Sequence, residues 1–197
     1  MSIKDEKNTE KAMFTIKDIV GVFSSFSVSP SKAMRKKNGE LSFVSFVFPA
    51  LTYIFFAIQL VLDRFSFVPT MSGIKALLTV FIALIVGCVM GLISSGLLYS
   101  VLNLKAIKSD FQCVLLCSNL SYIIPFIVTV LGLFVRLIFN VPTTITFGIS
   151  GLLFTLIPYG RLVKDLLKNE ILWYIFVVAS NGILSVFAVN MILFSVN

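Results

Sequence analysis

The stretch Lys105-Ala-Ile-Lys-Ser-Asp-Phe-Gln-Cys-Val-Leu-Leu-Cys-Ser-Asn-Leu-Ser-Tyr-Ile-Ile-Pro125 begins as a short charged loop and runs without a break into a long apolar segment. Apolar runs that only a bilayer can accommodate lie on both sides of it. A loop in that setting marks one face of a membrane and turns the chain back into it. The fold class follows from repeating this reading outward in both directions.

Of the 197 residues, 58% are hydrophobic and only 13% charged, and the mean hydropathy is +1.02. Soluble domains carry about a quarter charged residues. A span needs roughly 20 mostly apolar residues to cross a hydrocarbon core of about 30 Å. The composition therefore predicts an all-α integral membrane bundle, residues 41–197, preceded by a polar arm, residues 1–40.

The arm holds no early apolar core of the kind a cleavable signal peptide needs. Within it, Ile16, Ile19, Val20 and Phe23 recur at helical spacing, with Lys17, Asp18, Ser24 and Ser25 on the other face. Such a helix lies in the membrane interface or packs on the protein's own loops. Ser29-Pro30-Ser31-Lys32 then reads as a helix start, Ser29 capping and Pro30 in the first helical position. It opens a basic segment that contains Lys32, Arg35, Lys36 and Lys37.

Five spans follow, at about 42–62, 75–102, 112–134, 144–159 and 171–196. The first holds thirteen Leu, Ile, Val or Phe residues, each favouring insertion by on the order of 0.3–0.6 kcal/mol. That sum outweighs Pro49, Gln59 and the serines, and Asp63-Arg64 is expected to stop the span. In the second, Thr79, Ala83, Gly87, Gly91 and Ser95 fall four apart and mark one helix face. Small residues let a neighbouring helix approach closely, the main source of association in lipid. In the third, Cys113, Cys117, Ser121 and Pro125 repeat the spacing. Gly87 and Gly91 are expected to face that stripe. Pro125 lacks a backbone donor, which frees the carbonyl of Ser121 and predicts a kink. The fourth is short, ends at Pro158 and Gly160, and either starts earlier or is re-entrant. Arg161–Glu170 reads as an exposed charged connection of helical form.

Thirteen of the sixteen Lys and Arg residues fall on the side of the arm and three on the other. The positive-inside rule then places the N-terminus in the cytoplasm and the C-terminus outside. A four-span alternative moves the C-terminus inside but explains the charges less well. The net charge of +7 is a basic fringe for an anionic leaflet rather than a nucleic-acid surface.

No Asp or Glu falls within the predicted spans, and histidine is absent from the chain. The commonest general base and metal ligand is thereby missing. The three cysteines read as small buried side chains. Neither a phosphate-binding glycine loop nor a nucleophile elbow occurs. The expectation is a protein that is not an enzyme, with no cofactor, no metal and no small-molecule substrate.

The arm with Ser29-Pro30-Ser31-Lys32, the basic helix, the Ser109-Asp110-Phe111 turn and a third span with Ser118, Tyr122 and Pro125 together resemble the prokaryotic branch of the Yip1 family. The resemblance covers about Lys17 to the C-terminus. It implies a five-span, N-terminus-in fold, a place in the cytoplasmic membrane of a prokaryote, and a non-catalytic scaffold whose partners are other membrane proteins or itself. Eukaryotic members are similar to trafficking adaptors that bind small GTPases. Their Asp-Leu-Tyr-Gly-Pro type motif is missing here, so that binding is not carried over. An accessory subunit of an export or permease system, for peptide export or self-resistance, is the alternative. The interaction surface expected for a scaffold comprises Ile16, Ile19, Val20, Phe23, Lys32, Arg35, Lys36, Lys37, Lys105, Lys108, Asp110 and Phe111.

Overall fold

A computed structural model describes residues 44–67, 72–107, 109–167 and 170–196. The arm and its Ile16–Phe23 and Lys32–Lys37 segments lie outside the described residues, as does Lys108. The architecture is all-helical, with no strand among the described residues. Its elements are α1 (Val47–Phe67), α2 (Gly73–Leu104), α3 (Phe111–Leu120), α4 (Ile123–Phe139), a π-helical segment (Thr144–Ile149), α5 (Ser150–Leu153), α6 (Leu156–Leu167) and α7 (Ile171–Val196). They make five helices or near-continuous helical columns long and apolar enough to cross a membrane.

At its start α2 is capped by Ser72, whose Oγ accepts from the Ile74 amide at 3.2 Å. Its 32 residues make a rod of roughly 48 Å, longer than a hydrocarbon core, so the helix tilts or projects. It ends in a Schellman turn. The amide of Ile107 donates to the Leu102 carbonyl at 2.9 Å and that of Ala106 to Asn103 at 3.0 Å. Ala106 takes the left-handed conformation there, at φ 53°, where glycine is usual.

The kink expected at Pro125 is a full break, α3 ending at Leu120 and α4 starting at Ile123. Pro125 cannot donate to Ser121, so the helix has no bond to carry across this point. Beside the break the Thr52 hydroxyl of α1 lies 3.3 Å from the Tyr122 carbonyl, while its shorter bond, 2.7 Å, goes to the Phe48 carbonyl one turn back on α1.

Two boundaries differ from expectation. Asp63-Arg64 does not stop the first helix, which runs on to Phe67. The fourth column runs from Thr144 to Leu167, 24 residues, and passes through Pro158 and Gly160. Pro158 sits in the first turn of α6, where its missing N–H is no loss. The charged segment after it is helical, as expected, as far as Leu167. Leu162, Val163 and Leu167 are buried while Arg161, Lys164 and Asp165 are exposed, so the segment is amphipathic rather than exposed throughout.

Packing is organised by α2, which lies against α1, α3 and α7; α4 packs on α1 and on the π-helical segment, and α6 on α7. Large apolar side chains line the outside, including Ile74, Leu77, Phe134, Phe187 and Phe194. Polar ones are collected within: Thr52, Gln59, Ser94, Ser118, Asn119, Tyr159 and Asn181 are buried. That inversion of the soluble pattern is what a lipid solvent selects.

Candidate functional site

The buried polar side chains form two groups. The first is a ring in the middle of the bundle. Ser94 of α2 donates its hydroxyl to Asn181 Oδ1 of α7 at 2.6 Å, and Ser185 donates to the Asn181 carbonyl at 2.9 Å. From α6, the Tyr159 hydroxyl donates to the Ser94 carbonyl at 2.8 Å. The circle is closed by two tyrosines whose rings lie 6.3 Å apart, Tyr53 of α1 and Tyr122 at the α3–α4 break. The Tyr122 hydroxyl lies beside Ser94 and Tyr53, and that of Tyr53 beside Ser185. Neither meets a protein partner in good hydrogen-bond geometry. Ser94, Tyr122 and Asn181 each stand roughly 15 Å along their helices from the end where Lys105 and Glu170 pair. The ring is thus about halfway through a hydrocarbon core.

Every column contributes to this ring, which brings together residues far apart in sequence. Several of its polar atoms and those around it have no protein partner: Asn181 Nδ2, Asn119 Oδ1, Ser118 Oγ and Thr155 Oγ1. A buried donor or acceptor left unmade costs about 1–3 kcal/mol. The groups are neutral hydrogen-bonding ones, suited to holding a polar molecule.

The second group is an ion-pair clasp. Asp63 of α1 and Arg136 of α4 lie side by side, Oδ1 to Nε 2.8 Å, and are almost wholly enclosed. The other carboxylate oxygen, Oδ2, accepts from the amides of Thr143 and Thr144, both at 2.8 Å, and from the Thr144 hydroxyl at 2.6 Å. Arg136 also donates through Nη2 to the Leu62 carbonyl at 3.1 Å and through Nη1 to Asn140 Oδ1. One carboxylate therefore caps the start of the π-helical segment while neutralising the arginine, tying three columns at one end. In the sequence Asp63 reads only as a stop signal, and Arg136 stands alone inside the apolar run 133–139. The available signal was that an arginine inside an apolar run needs a partner.

Between the ring and the clasp, a buried amide joins α1 to α4, Gln59 Nε2 donating to the Thr129 carbonyl. Thr129 lies one turn beyond Pro125, so this contact braces the helix just past its break.

The expected small-residue stripe is buried along its length: Thr79, Ala83, Gly87, Gly91 and Ser95. Its partner differs from expectation. A side chain at Gly87 would meet the Pro49 carbonyl and Ala50 Cα of α1, not span three. Gly91 sits between Pro49 and the Asn119 side chain, so it reaches α3 by Asn119 rather than by a cysteine. Cys113, Cys117, Ser121 and Pro125 are buried, and the Ser121 hydroxyl folds back on the Cys117 carbonyl at 3.4 Å.

Three residues expected at an interaction surface have intramolecular contacts. Lys105 pairs with Glu170 at 3.0 Å and lies over the Trp173 ring at 5.5 Å, fastening the end of α2 to the start of α7. Asp110 caps α3 by accepting from the Gln112 amide at 3.1 Å. Phe111 stacks edge-on against Tyr99 with centroids 5.2 Å apart. Among the described residues, no three His, Cys, Asp or Glu side chains stand close enough together to hold a metal ion.

Comparison with known proteins adds no relative to this geometry: no family model, no curated protein and no solved structure matches the chain.

Proposed function

We propose that the chain is a non-catalytic scaffold of Yip1-like build that assembles with other membrane proteins or with its own copies, its arm in the cytoplasm. The observation that carries this reading is a concave apolar groove on the lipid-facing side of α1 and α2. It encloses about 450 Å³ and is lined by Ile54, Ile74, Leu77, Leu78 and Phe81 among others. These α2 residues are among its most exposed. Without a hydrophobic gain from leaving lipid, helices associate through shape and close packing, and a groove offers shape where a convex face does not.

An accessory role in export or permeation is favoured by a different observation. Two columns are interrupted, at Ser121–Tyr122 and at Phe154–Thr155, and broken helices beside buried polar groups are how transporters build mid-membrane sites.

Two experiments test the roles. A photo-crosslinking residue at Leu78 is expected to capture protein in native membranes, whereas one at the exposed position Phe134, outside the groove, captures lipid. Deleting residues 1–28 is expected to leave a folded bundle that no longer co-purifies with partners. A truncated chain that keeps every partner but loses a solute flux or peptide resistance overturns the scaffold in favour of export.

The orientation is tested separately. A reporter active only outside the cytoplasm is expected to give signal when fused at Asn197 and none when fused after Lys108. Signal at neither position would mean the fourth column does not cross.

A further inference from the structure

We propose that the ring formed by Tyr53, Ser94, Tyr122, Asn181 and Ser185 is a binding site for ordered water at the middle of the bundle, where the two interrupted columns meet. The inference rests on which atoms lack partners and on what would satisfy them together. Each ring residue is at most 4% exposed. Asn181 Nδ2 offers two N–H groups to no acceptor. The two tyrosine hydroxyls, each able to do both, lie near hydroxyl neighbours without aligned bonds. An occupant must therefore donate and accept at once. It must also be uncharged, since no ring residue carries a charge that would pair with an ion. Near-misses between polar groups of this kind are bridged by water in protein interiors, each molecule making about three bonds.

The helix breaks supply the rest of the site. Ser121 has no helical donor for its carbonyl because Pro125 stands four residues on. Thr155, at the other break, keeps a buried hydroxyl without a partner and is 1% exposed. Tyr122 and Leu152, one from each interrupted column, pack in the same core cluster. A side chain at Gly151 would come within 3.5 Å of the Pro125 carbonyl. The breaks are thus side by side, and water there supplies the bonds that the helices cannot. This holds whether the chain is a scaffold or an export subunit.

The test uses the full chain in detergent or nanodiscs. Hydroxyl-radical footprinting, with the radical generated from water in place, is expected to label Tyr53 and Tyr122 despite their enclosure. After rapid mixing with isotopically heavy water, their label should exchange more slowly than that of the less buried Tyr99. No labelling at either tyrosine overturns the proposal. Tyr53→Phe and Tyr122→Phe supply the second measurement. If water holds the hydroxyls, each replacement lowers Tm by about 2–4 °C; if they are simply unsatisfied, each raises it. A rise in both overturns the proposal. Should a variant fail to fold, the footprint of the native chain still decides.

Discussion

Replacing Asp63 with alanine is expected to destabilise the bundle by about 3–5 kcal/mol, the cost of leaving one member of a buried ion pair uncompensated. The size follows from how many groups depend on this carboxylate. Arg136 would remain, 6% exposed, with a full charge and no counter-ion. The amides of Thr143 and Thr144 and the Thr144 hydroxyl would lose their acceptor together. Nothing else is placed to take over, because the oxygen they share is at the end of α1, on a different column. Arg136→Met alone should cost a similar amount, now leaving the carboxylate uncompensated on one side. The pair Asp63→Leu with Arg136→Met should recover much of the loss, since well-packed apolar groups often replace a buried pair at little cost. Denaturant or thermal unfolding of the purified protein in detergent measures all three. A single Asp63→Ala change within about 1 kcal/mol of the parent would mean the clasp is already open to water, where exposed pairs contribute that little.

That clasp also shows where sequence reading stops. The spans were legible because crossing a membrane is decided by local composition, and the runs around Lys105–Pro125 are long enough to leave no other reading. The α3–α4 break was legible for the same reason, since Pro125 acts on the carbonyl four residues before it. The end of the first helix was not. An Asp-Arg pair after an apolar run looks like a stop, and only the arrival of Arg136 from a distant column lets Asp63 stay enclosed. The end of the fourth column failed by another route. Pro158 and Gly160 break a helix interior, but Pro158 is in a first turn and Gly160 packs near Tyr174. The ring was least visible of all. Tyr53 and Tyr159 count among the hydrophobic residues of the composition, and nothing in the local pattern brings their hydroxyls towards Ser94 and Ser185.

The small-residue stripe lies between these cases, its face legible and its partner not, and it carries the last expected result. Gly87→Ala is expected to cost about 1–3 kcal/mol, the usual penalty for volume added to a filled contact. The new Cβ would stand 2.7 Å from the Pro49 carbonyl oxygen and 2.8 Å from Ala50 Cα. Both belong to backbone, so relief requires moving α1 rather than rotating a side chain. Gly91→Ala should be milder, although its nearest neighbour would be as close, at 2.6 Å, because that neighbour is the Asn119 side chain. A leucine at position 91 exceeds what that rotation can clear and should approach the Gly87 effect. Gly96, on the same helix, has nothing within 4 Å of an added Cβ. There alanine should be neutral or stabilise by up to about 1 kcal/mol through helix propensity alone. Unfolding midpoints in one detergent give the order Gly96→Ala, Gly91→Ala, Gly87→Ala from most to least stable. Equal midpoints for Gly87→Ala and Gly96→Ala would refute the close α1–α2 crossing, because only that crossing distinguishes two glycines nine residues apart in one helix.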